Sequence, residues 1–113
     1  MLIYHITTRS EWETALLKGS YTAPSLDQEG FIHASTARQV AATADLLFGG
    51  MASLVLLEID TDRLTANLRF EEAPGTGQQF PHIYGPLNLD AVRSATGFYP
   101  GDDGLFHFPP EDQ

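Results

Sequence analysis

Cysteine is absent from the 113-residue chain, which excludes a disulfide framework, a thiol nucleophile and a thiolate metal site. Stability has to come from packing and hydrogen bonds, as suits a reducing compartment. Positive charge is scarce: six Lys plus Arg stand against fifteen Asp plus Glu, a formal charge of -9. The average field repels phosphate polymers and anionic lipid, so no nucleic-acid or membrane partner is expected. A small nucleotide stays open, since one or two arginines in a cleft can hold a phosphate locally. Long apolar stretches are also missing. Leu54 to Leu57 falls far short of a membrane span, and Met1 to His5 has no basic, signal-like start. The expectation is a cytoplasmic protein without a membrane segment. No Gly-x-Ser-x-Gly elbow is present, and Pro74-Gly75-Thr76-Gly77 lacks the lysine and following helix of a phosphate loop.

What is present suits one hydrophobic core, because a chain this short cannot bury two. The reading is a single domain over residues 1–113, with the Pro/Gly/Asp-rich stretch 100–113 a tail of uncertain order. Leu2 to Ile6 reads as a strand. Ser10-Glu11-Trp12-Glu13 fits a capping box, opening a helix that buries Trp12, Ala15 and Leu16 and stops at Lys18-Gly19. Ser20 to Gly30 is turn-rich. Phe31 to Ser35 is a short strand, with Ser35 capping a helix from Thr36 to Phe48 that closes at Gly49-Gly50. Ser53 to Asp60, apolar on both faces through Leu57, reads as a central strand. Asp60 caps a single turn, and Asn67 to Glu72, Phe80 to Tyr84 and Ala91 to Tyr99 are further strands. The fold class is α+β, a mixed, mainly antiparallel split sheet with two helices in the N-terminal half.

Three histidines carry the functional signal. His5, His33 and His82 each lie in a predicted strand with a hydroxyl residue two positions on, Thr7, Ser35 and Tyr84. Strand alternation turns residues i and i+2 to one face, so each imidazole travels with a hydrogen-bonding partner. One shared polar pocket is the reading. A histidine metal site is an alternative, because three imidazoles can leave a coordination position open, but H-x-H or i, i+4 spacing is lacking. A second alternative is a non-enzymatic acidic interaction module whose histidines are structural.

Tyr4-His5-Ile6-Thr7, Glu29 to Ser35 and Phe80 to Pro86 resemble the signature of the bacterial domain of unknown function family 952, with the likeness running from Leu2 to about Tyr99. The resemblance implies a fold similar to that of NAD-dependent ADP-ribosyltransferases and RNA 2'-phosphotransferases. It implies NAD or an ADP-ribose-like nucleotide as ligand. His5-Ile6-Thr7 is similar to the His-x-Thr of those enzymes, in which the histidine contacts the adenosine-side ribose; Phe31 to Ser35 resembles their aromatic-small-Ser strand. Their third element is usually a glutamate, for which Glu71, Glu72 or His82 stands here, Glu72 being the carboxylate placed with the three histidines as catalytic. The acidic charge sets the RNA branch aside.

For such a ligand, Tyr4, Tyr21, Phe31 and Tyr84 are candidates to contact a ring, and Thr7 and Ser35 to bond ribose hydroxyls. Arg9 or Arg38 is the candidate for a pyrophosphate. Residues such as Tyr21 and Phe31 are more often core, and arginines such as Arg9 and Arg38 more often solvated helix-end charges. Trp12 reads as a core anchor, and Glu58 with Asp60 as a solvated strand end.

Overall fold

The computed structural model describes residues 1–109; positions 110–113 of the expected tail lie outside the described residues. Strand β1 (Leu2–Thr8) has five consecutive buried residues, Ile3 to Thr7, because both its faces are covered. It pairs antiparallel with β4 (Leu54–Asp60), which pairs antiparallel with β8 (Val92–Phe98), so β4 is central as its apolar run predicts. Alternation then sorts these strands between two cores. Ile3, Val55, Leu57 and Ile59 face one, while Tyr4, Ile6, Leu54 and Leu56 face the other with Phe98. His5 and Thr7 share the parity of Ile3 and lie on the first side.

The second core is closed by helix α3 (Val40–Phe48), through Val40 and Ala44, and by the start of the tail. Phe106 is buried with its ring centre 4.8 Å from that of Phe98, and its amide donates to Asp45 Oδ1 at 2.8 Å. The first core is closed by helix α1 (Arg9–Lys18), the two-residue strands β2 (Ser20–Tyr21) and β7 (Leu87–Asn88), which pair with each other, and a third sheet. That sheet runs β3 (Ile32–His33), β6 (Gln79–Tyr84), β5 (Asn67–Glu72), all antiparallel. One bridge joins it to β1: the Tyr4 and Ser35 backbones exchange hydrogen bonds of 2.8 and 2.7 Å. This bridge brings His33 beside His5.

The α+β architecture is as expected, with five differences. The strand expected over Phe31 to Ser35 is only Ile32–His33, and Ser35 meets β1 through an isolated bridge. Every strand pairing among the described residues is antiparallel, so the sheet is not mixed. Three helices are present, not two: Pro24–Glu29 forms α2, with Pro24 in its first turn and Gly30 closing it at φ 89°, the Pro-in, Gly-out asymmetry of helix ends. Helix α1 is capped by Thr8, whose Oγ1 accepts from the Glu11 amide at 3.1 Å, not by Ser10, and Leu16 lies 57% exposed. Helix α3 begins at Val40 because Thr36 to Gln39 form turns, and Ser35 donates to Thr43 Oγ1 at 3.3 Å instead of capping.

Gly30 permits a direct test. A Cβ there meets nothing within 4 Å, so Gly30→Ala should cost only the left-handed backbone penalty, about 1 kcal/mol, in urea denaturation. Among the described residues no helix is long and apolar enough to cross a membrane.

Candidate functional site

Between β1, α2, the β3-β6-β5 sheet and α3 lies an open cavity of about 780 Å³. Its floor is built on β1. His5 is 8% exposed, and its Nδ1 donates to the His33 carbonyl oxygen at 2.5 Å. Burial pushes its pKa down to about 4, so at neutral pH Nε2 carries a lone pair. The Tyr21 hydroxyl, 2.7 Å away, donates to it. That hydroxyl has one proton, which leaves Thr7 Oγ1, 3.0 Å from the Tyr21 oxygen, to donate in turn. Burial also pushes Tyr21 up, to about 12. The floor is a closed relay of neutral groups.

The wall is aromatic. Phe31 stacks on His82 with ring centres 4.0 Å apart and planes 12° from parallel, and His33 meets both edge-on, at 4.8 and 5.3 Å. Strand register explains the carboxylate that completes it. Arg69 pairs with His82 and Glu71 with Phe80, so Arg69, Glu71, Phe80, His82 and Tyr84 share one face of β5 and β6. His82 Nδ1 donates to Glu71 Oε1 at 2.8 Å, and the Tyr84 hydroxyl donates to the same oxygen. The bonds from Tyr84 and then His82 hold the Glu71 carboxyl below its ordinary range, and the Glu71 bond raises Tyr84. The Arg69 guanidinium lies 5.1 Å from the centre of the Tyr84 ring. On the other side His33 Nε2 donates to Glu29 Oε2, 2.8 Å away on α2.

His5, His33 and His82 thus border one cavity, together with Tyr4, Thr7, Tyr21, Phe31, Ser35 and Tyr84. Glu72 borders it too, but it is exposed and on the strand face opposite His82; the carboxylate on the wall is Glu71. The Tyr4 hydroxyl is drawn away to Glu58, 3.5 Å off. Arg9 and Arg38 are exposed and do not reach the cavity, which leaves the expected pyrophosphate contact unfilled. Among the described residues no three His, Asp or Glu side chains gather as metal ligands. His33 and His82 bind separate carboxylates instead. The sequence reading missed Glu11, Glu29, Leu46 and Leu47 in the lining. Leu46 and Leu47 are 83% and 63% exposed and had only an unremarkable helical spacing to mark them.

A family model described as "Protein of unknown function (DUF952)" matches residues 6–95. The chain belongs to the DUF952 family. The DUF952 chain is similar to Protein CC0527 from Caulobacter crescentus. Against its crystal structure the identity is 34% and the TM-score 0.86, over 96% of each chain. Against its solution structure the values are 36% and 0.80, over 92% of this chain and 90% of that one. No curated protein matches.

The floor of the DUF952 cavity can be perturbed alone. Tyr21→Phe leaves the ring in place while removing the group between His5 and Thr7, so it should cost about 1 to 2 kcal/mol in urea denaturation. An unchanged midpoint would show that the relay does not contribute to stability.

Proposed function

We propose that this chain is a small-molecule-binding domain whose cavity takes the ring and ribose of NAD or an ADP-ribose-like nucleotide, within an ADP-ribosylation-like fold acting in the cytoplasm. Glycosyl (ADP-ribosyl) transfer is the reaction class its groups suit. The observation that supports this most is the wall, where Phe31 stacks on His82 and both His82 and Tyr84 converge on Glu71. A flat aromatic surface of this kind can stack against a heteroaromatic ring on its free side. An ionised carboxylate beside it stabilises the positive charge that develops on a ribose when its bond to the base weakens. His82 Nε2, opposite the nitrogen fixed by Glu71, can receive a proton at the wall. Ser35, at the bridge to β1, lines the cavity, and its hydroxyl, which donates to Thr43, can still accept from a sugar hydroxyl.

Calorimetric titration with NAD, ADP-ribose and nicotinamide, with NMR shifts read on the aromatic wall, tests the reading. Heat and shifts at Phe31, His82 and Tyr84 are expected; silence from all three ligands at about millimolar concentration would remove it. His82→Ala should weaken binding about tenfold, roughly 1.4 kcal/mol, in protein that a thermal melt shows to be still folded.

One observation favours the interaction-module alternative: His5 has both ring nitrogens engaged inside the protein. That reading makes His82 equally structural, so His5→Ala and His82→Ala should each cost about 1 to 3 kcal/mol. A His82→Ala protein that stays folded but has lost its ligand opposes it.

A further inference from the structure

The cavity offers a ring wall and hydroxyls but little for a pyrophosphate. Its lining carries four carboxylates, Glu11, Glu29, Glu71 and Glu72, and among the described residues neither lysine nor arginine. Arg69 lies outside that lining, over the Tyr84 ring. A diphosphate drawn into such a space meets like charge while losing water, and both effects oppose binding. A cationic ring meets the reverse. Aromatic faces attract a cation; Arg69 already lies over the Tyr84 ring, but Phe31 lines the cavity, and Glu71, fixed by two donors, sets a negative charge on the same wall.

A second observation points to a ligand at the same place. His82 is 9% exposed, and its Nδ1 is taken by Glu71. Its Nε2 has no partner among the described residues, yet it is not a sealed, unsatisfied atom and so opens toward the cavity that His82 lines. The carboxylates accept from O–H groups, as a ribose diol requires and a phosphate cannot provide.

We infer that the cavity is built for a cationic, phosphate-free N-ribosyl heteroaromatic, a pyridinium nucleoside of the nicotinamide riboside type, and that the diphosphate of any larger nucleotide stays outside it. The inference rests on the ring-and-ribose reading of the site and narrows it to a charge class. It replaces the arginine contact expected from the sequence with carboxylates that select the opposite charge.

Calorimetric titration of the intact chain with nicotinamide riboside, NAD, ADP-ribose and nicotinamide, at about 0.15 M salt, is the test. Nicotinamide riboside should bind at least as tightly as NAD and about tenfold more tightly than ADP-ribose. Glu71→Gln, which keeps a hydrogen-bonding group of the same size, should lower its affinity about tenfold and leave neutral nicotinamide unaffected; a thermal melt confirms that the variant is folded. ADP-ribose or NAD binding clearly more tightly than nicotinamide riboside overturns the charge inference and leaves the nucleotide reading standing. Binding by none of the four overturns that reading itself.

Discussion

His5→Ala is expected to destabilise the chain by about 3 kcal/mol, a loss of roughly 10 to 15 °C in melting temperature for a domain of this size. The ring is buried and spends both nitrogens on protein partners. Truncation therefore leaves the His33 carbonyl and the Tyr21 hydroxyl without their partner in a place water reaches poorly. It also removes a ring whose centre lies 5.1 Å from that of Tyr21, opening a void under the cavity. The loss should spread to the site, because the His33 backbone held by His5 belongs to the strand that carries the aromatic wall. Urea denaturation followed by tryptophan fluorescence gives the number. A variant melting within about 2 °C of the parent would make His5 free to serve a ligand, as the resemblance to transferases implies.

His5 shows how far the sequence could be read. Its parity with Thr7 was legible, because alternation in a strand is a local rule, and the central strand was legible because a strand covered on both faces must be apolar on both. The partner of His5 was not legible. Tyr21 sits on a two-residue strand whose existence depends on Leu87 and Asn88, far along the chain, and no local pattern marks so short a pairing. The carboxylate of the wall failed for a related reason. Glu71 and Glu72 are adjacent, and only the register of β5 against β6 decides which shares a face with His82. Helix α2 is the reverse case. Pro24 and Gly30 signalled its ends, but six residues so rich in turn-formers read as a loop. Charge was legible only as a total: the excess of acids predicted what the surface repels, but not that four carboxylates border the cavity.

Stability is expected to hold level between about pH 6.5 and pH 10 and to fall on both sides, with the hydrogen-bonded pair of His5 and Tyr21 contributing to both edges and Tyr4 and Tyr84, also raised, adding to the alkaline one. His5 titrates near 4 in the folded chain against an ordinary 6.5, because burial disfavours its charged form. Between those values the unfolded chain takes up a proton that the folded chain refuses. The contribution of His5 is therefore complete above pH 6.5 and lost as the pH falls toward 4, by up to about 3 kcal/mol. Tyr21 acts at the other end. Burial raises it to about 12 from an ordinary 10, so as the pH rises through 10 the unfolded chain gives up a proton that the folded chain keeps, and up to about 2 kcal/mol is lost by pH 12. Glu71 and Asp103, both held below their ordinary range by hydrogen bonds, add a further acid loss, centred lower than the histidine limb. The two limbs can be separated by substitution. His5→Gln should flatten the fall between pH 6.5 and 4 while keeping the alkaline one, and Tyr21→Phe should reduce the alkaline fall, leaving the part due to Tyr4 and Tyr84, while keeping the acid one. Urea midpoints across this range read both slopes. An acid limb unchanged in His5→Gln would show that carboxylates govern it instead, and that the His5 to Tyr21 hydrogen bond does not set the lower edge.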